Sequence, residues 1–138
     1  MKQKAVLEQE DAQFVMAGAV RHAQARGWAV TIAVVDDGGH LLALLRLDGA
    51  PPMTAEMAMG KARTAALARR DSKRFEEMIN QGRPAFLSAP GLPAMLEGGV
   101  VIEHDGQVIG AVGVSGRKSS EDAEVAQAGI RALLEVAR

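Results

Sequence analysis

Cysteine is absent from this chain of 138 residues, and so is tyrosine. Without cysteine there is no disulfide framework, no thiolate metal site and no cysteine nucleophile. The aromatics are only Phe14, Trp28, Phe75 and Phe86, too few for a platform on which bases stack. Charge of one sign is missing too. Sixteen Lys and Arg offset seventeen Asp and Glu, for a net charge of −1, which speaks against bulk nucleic-acid binding. No run approaches the roughly 20 apolar residues of a bilayer span. The N-terminus turns acidic at Glu8, Glu10 and Asp11 before a signal core could form, so the expected location is cytoplasmic, without membrane attachment.

What is present suits one domain over residues 1–138: 48% hydrophobic and 24% charged residues, with no repeat and no low-complexity stretch. Residues 7–26 have helical periodicity, with Ala12, Val15, Met16, Ala19 and Ala23 on one face and Gly27 as a stop. Trp28 to Val35 is β-rich and almost wholly apolar, as in a central strand covered on both faces. Asp36-Asp37-Gly38-Gly39 turns the chain into a second strand, Leu41 to Leu47. A small-residue helix is expected from Thr54 to about Arg70, then a long ordered loop rich in Pro and Gly around residues 82–99. Val100–Glu103 and Val108–Val114 flank an Asp-Gly turn and form a second hairpin. A closing helix spans about Ser120–Ala137, with Ser119 and Asp122 spaced as a capping box. This order predicts an α+β domain: antiparallel sheet built from two hairpins, with helices packed on it.

Chemistry-bearing residues are sparse, and none receives a catalytic role. His22, His40 and His104 have no partner at metal-ligand spacing. His40 and His104 lie beside turns and are expected in solvent. His22 flanks the apolar helix face near Gly18, where a glycine lets something approach. Glu121 and Glu124 share one helical face, too little to define a metal. Gly110, Gly113 and Gly116 lack the βαβ context of a dinucleotide fingerprint and suit close backbone packing. Arg117 and Lys118 stand before the last helix as a possible anion cradle. In the basic run of residues 61–74, Arg63, Arg69, Arg70, Lys73 and Arg74 project to one arc. Lys61 and Thr64 project to the other with Met53, Met57, Ala65 and Ala68. A lysine amid small apolar side chains is costly unless it snorkels or pairs, so either snorkelling or a ligand pocket fits.

Five stretches, in this order, resemble the haem-binding HbpS/GlcG-like family, which also occurs as the C-terminal domain of PduO-type proteins. They are Ile32-Ala-Val-Val-Asp-Asp-Gly-Gly-His-Leu-Leu-Ala-Leu, Arg46-Leu-Asp-Gly-Ala, Lys61-Ala-Arg-Thr-Ala-Ala, Leu96-Glu-Gly-Gly-Val and Asp105-Gly-Gln-Val-Ile-Gly-Ala-Val-Gly-Val-Ser-Gly. The resemblance implies a profilin-like three-layer α/β/α fold, a homo-oligomer, and non-covalent haem, linked in some members to iron. It implicates Lys61 as a cation for a propionate and Thr64 or, from the first helix, His22 as the iron-facing donor, beside an apolar slot walled by Met53, Met57, Ala65 and Ala68. Gly60 stands where the family commonly has an acid before the lysine, so a salt-bridge partner for Lys61 is missing from that position. A second reading is an accessory protein or enzyme of glycolate-type or diol metabolism. It would hold a small carboxylate at Lys61 and the Arg117-Lys118 loop.

Overall fold

The computed structural model describes residues 1–137. Helix α1 (Gln9–Arg26) starts at Glu8, whose side chain accepts the Asp11 N–H while Asp11 Oδ2 accepts the Glu8 N–H at 2.8 Å. It ends at Gly27, in the left-handed conformation at φ 70°, whose N–H returns to the last carbonyls. Two hairpins follow the expected turns: β1 (Thr31–Asp36) with β2 (Leu41–Arg46), and β3 (Gly99–His104) with β4 (Gln107–Ser115). The sheet order is β2-β1-β4-β3, antiparallel throughout, with β1 and β4 joining the hairpins at the centre.

Alternation along the central strands sends side chains into two separate cores. Ile32, Val34, Val112 and Val114 face α1 and α4 (Ser119–Val136), meeting Val15, Ala19, Val125 and Leu133. Ala33, Val35 and Ala111 face α2 (Met53–Ala68) and meet Ala58, Ala62, Ala65 and Ala66, with Met59 and Val101 partly buried against them. The result is the α/β/α sandwich that the resemblance implied. The alanine side is thin because helix backbone lies directly on the sheet. A Cβ placed on Gly113 would stand 2.0 Å from the Ala58 carbonyl oxygen, so only glycine permits that approach.

One element departs from expectation. The chain between α2 and the 3₁₀ turn (Pro84–Ser88) carries a helix, α3 (Lys73–Asn80). Arg69, in the left-handed conformation at φ 58°, ends α2, and Phe75 on α3 is buried. The basic run through residues 61–74 therefore spans two helices. Arg63, expected on an exposed arc, is half-buried and donates to the Gly39 carbonyl at 2.8 Å.

Candidate functional site

Lys61 is the polar residue most at odds with its surroundings, placed beside the alanine face of α2. Its side chain is 4% exposed, and Nζ donates to Asp122 Oδ2 and to the Val114 carbonyl, each at 3.0 Å. Asp122, on the first turn of α4, is 2% exposed and uses Oδ1 to accept the Arg117 N–H at 2.9 Å. Burial raises the Asp122 carboxyl above its ordinary value, opposed by the charge of Lys61 and the Arg117 amide. The pair ties the layer containing α2 to the layer containing α4 around the end of β4. The salt-bridge partner that Gly60 does not supply thus comes from Asp122.

The same contacts correct the reading of the α4 start. Lys118, not Ser119, is the N-cap, and Asp122 turns its carboxylate to Arg117 and Lys61 instead of closing a box with Ser119. A helix N-terminus and a lysine do converge on a carboxylate here, but the carboxylate is the chain's own. Arg117 is engaged further: Nε donates to Glu121 at 3.2 Å, and its guanidinium lies 5.3 Å from the Trp28 ring centroid. Lys118 is exposed. The donors assigned to an external carboxylate are therefore largely taken.

Thr64 lies one turn beyond Lys61 and is fully buried, with Oγ1 accepting the Ala94 N–H at 3.3 Å. The segment covering it can descend because position 60 is glycine. A Cβ there would lie 3.0 Å from the Ala94 Cβ. Ala65 packs into the alanine core beneath the helix. Met57 is half-buried and lines a cavity of about 360 Å³ between α2, α3 and the segment from Leu87 to Leu96. Its other apolar lining includes Ile79, Leu87, Pro93 and Met95, with Glu76 and Asn80 as polar members.

His22 is elsewhere. On α1 it faces α4, across the sheet from α2, and Nε2 lies 2.6 Å from Glu124 Oε2. What approaches at Gly18 is α4: a Cβ there would lie 2.4 Å from the Ala132 Cβ. Arg26 also reaches Glu124, at 3.2 Å. The His22 hydrogen bond holds the Glu124 carboxyl below its usual range, against the opposing effect of burial and with a further contribution from the Arg26 charge. The Glu121–Glu124 pair is thereby divided between Arg117 and His22. Among the described residues, no three His, Asp or Glu side chains gather as a metal site. His40 and His104 are exposed.

Within one chain the fold brings Lys61 together with Asp122 and the start of α4. It leaves Met57 at a separate groove and His22 on the opposite face. Asp122 is the residue that sequence reasoning missed as a partner. The signal was the unpaired lysine itself, which demands an acid that periodicity cannot locate.

The fold defines a class first: a three-layer domain with helices on both faces of a two-hairpin antiparallel sheet. The family model described as "Haem degrading protein HbpS-like" matches residues 7–131, and the chain belongs to that HbpS-like family. It is similar to Protein GlcG of Escherichia coli K12, 55% identical over 115 residues, covering 83% of this chain and 85% of that protein. The crystal structure of a double mutant of Streptomyces reticuli HbpS is similar with a TM-score of 0.86 and 31% identity. That match covers 95% of this chain and 89% of the other. The crystal structure of a PduOC–haem complex matches with a TM-score of 0.83 and 26% identity, over 93% and 95% of the two chains. No helix among the described residues is long and apolar enough to cross a membrane.

Proposed function

We propose that this chain binds haem non-covalently, as a homo-oligomer, in the groove walled by Met57. The observation that carries the reading is the chemistry of that groove. Aliphatic and thioether side chains line most of its roughly 360 Å³, which suits an apolar planar macrocycle. Met57 brings a thioether, one of the recognised axial donors to haem iron. Leu87, at 69% exposure, leaves one side of the groove open to solvent. Arg83, whose guanidinium lies over Phe86 at 4.9 Å from the ring centroid, caps the 3₁₀ turn that carries Leu87 and would serve as a cation for a propionate. Haem, when bound, would supply a redox-active iron. The chain's own part is to enclose the ring, offer the thioether and limit water. Membership of the HbpS-like family and the haem complex of PduOC support the reading.

Lys61 and Thr64 serve this reading indirectly, by fixing the wall against which the ring would lie. Their polar atoms are already bonded to Asp122 and Ala94. Haemin titration followed at the Soret band tests the proposal. A saturable shift is expected, and it should persist in His22→Ala. A titration that never saturates would overturn it.

A further inference from the structure

Residues 73–93 leave the body of the domain at Ser72 and return to it beside the same residue. Asp71 Oδ1 accepts the Val101 N–H at 3.0 Å, and Ser72 Oγ accepts the Gly99 N–H at 2.9 Å, so the start of α3 is pinned to β3. At the return, the Ser72 hydroxyl donates to the Leu96 carbonyl at 2.5 Å, and the Ala94 N–H donates to Thr64. One serine therefore holds both ends of the excursion. Between the pins, α3 and the 3₁₀ turn pack on each other, with the Phe75 and Phe86 ring centroids 5.8 Å apart. Among the described residues, neither element packs as extensively on any strand or other helix. The hydrogen bonds of the turn stay local too: Phe86 N–H to Arg83, Ala89 N–H to Phe86 and the Ser88 hydroxyl to Ala85.

The groove is the gap between this unit and α2. Ile79 and Leu87 line it from the unit, Met57 from α2, and Met95 and Leu96 from the pinned return. Leu87 and Leu96 are both exposed, so apolar surface stays in water while the gap is open. The returning segment concentrates its freedom at one place. Pro90 and Pro93 have a fixed φ. Gly91 between them stands at φ 77°, and nothing lies within 4 Å of where a Cβ would be. The unit is thus pinned at Ser72, free to turn at Gly91, and loosely packed in between.

We propose that α3 and the 3₁₀ turn form a jaw that pivots at Ser72 and Gly91 and closes on the ring held in the groove. This rests on the haem reading and adds the motion by which the groove fits itself to its ligand. Closure needs an occupant. Shut over an empty gap, the walls would face unfilled space and gain few contacts. With an apolar ring between them, both walls find partner atoms, and Leu87 leaves the water. The ring therefore binds the closed form better than the open one, and that difference is what shifts the equilibrium.

Paired nitroxide labels test this in a chain that has no cysteine of its own. Gln81→Cys marks the far end of α3, and Gln127→Cys on α4 is the reference in the body. Glu56→Cys on α2 with Gln127→Cys is the control pair. All three native residues are exposed, and none lines the groove. Zinc protoporphyrin is the probe, since it has the ring and propionates of haem without an unpaired electron. In the free full chain, pulsed electron resonance should find the 81–127 distances more widely spread than the 56–127 distances. Saturating probe should narrow them and move their mean by about 2 Å or more, the scale of a loop rearrangement on binding, with the control pair unchanged. Two equally narrow distributions in the free chain would overturn the jaw. So would a saturated absorption titration that leaves the 81–127 distances as they were, with the binding reading intact. A titration that never saturates would overturn the binding reading, and closure on the ring with it.

Discussion

Lys61 and Met57 stand one turn apart on the same helix, yet they belong to opposite kinds of environment. Lys61 enters a closed polar junction in which the ammonium, the Asp122 carboxylate and the Arg117 amide are mutually bonded. Met57 borders an open apolar groove where Leu87 is still 69% exposed. The polar junction has satisfied its chemistry internally, so its contribution is to hold the layers together. The apolar groove has unsatisfied surface, which is what a ligand needs. Conspicuous charge amid apolar residues therefore marks the structural part of α2, and the unremarkable methionine marks the groove proposed for haem.

The largest expected effect comes from breaking the polar side. Asp122→Ala would leave the Lys61 ammonium buried without its anion, and removing one partner of a buried pair costs about 3–5 kcal/mol. Urea unfolding should show that loss. The double variant Lys61→Met with Asp122→Leu should recover much of it, because no unpaired charge remains. A single variant as stable as the wild type would mean that the junction holds nothing together.

Position 60 links the two environments, and its effect should be intermediate. Gly60→Glu restores an acid before Lys61 but puts a Cβ 3.0 Å from Ala94, in the segment that covers Thr64 and walls the groove. Overpacking of this kind costs about 1–3 kcal/mol. The segment should be displaced, and the haemin titration altered, without rescue of Asp122→Ala. Rescue would show that an acid at position 60 can reach Lys61.

Met57→Ala sharpens the comparison from the apolar side. Loss of the thioether and of wall area should weaken haemin binding roughly tenfold, or about 1.4 kcal/mol, and move the Soret maximum. Unfolding should change less than in Asp122→Ala, since Met57 is only half-buried. Unchanged titration would remove Met57 from the site.

Much of the fold was legible because its signals are local. The almost wholly apolar β1, the Asp-Gly turn between β3 and β4 and the alanine face of α2 each name their own structure. Helix α3 escaped notice because nothing like glycine or proline marks the break at Arg69, although Phe75, Met78 and Ile79 have helical spacing. The site was less legible. Periodicity assigns Lys61 a face and an anomaly, but its partner lies 61 residues away on another layer. His22 was grouped with Lys61 on resemblance, whereas α1 and α2 pack on opposite sides of the sheet. Thr64 gave no sign that the segment around Ala94 would cover it.

The smallest expected effect is a pH dependence in which the buried and exposed carboxylates have opposite signs. Burial raises Asp122 above its ordinary value of 3.8, so the folded chain holds that proton more tightly than the unfolded one. Stability from this group therefore falls as pH climbs from about 3.8 through the raised native value, then levels. Asp37 behaves in reverse. The hydrogen bond from Lys4 lowers it, so its contribution is complete above 3.8 and is lost as pH falls through the lowered value. Asp37 and Lys4 are both partly exposed, so salt should weaken their share. Unfolding midpoints of wild type and Asp122→Asn are compared from about pH 3 to 7, the window in which carboxylates titrate. The wild type should lose ground to the variant as pH rises through the window. A wild type that gains ground instead would mean that attraction to Lys61 outweighs desolvation at Asp122.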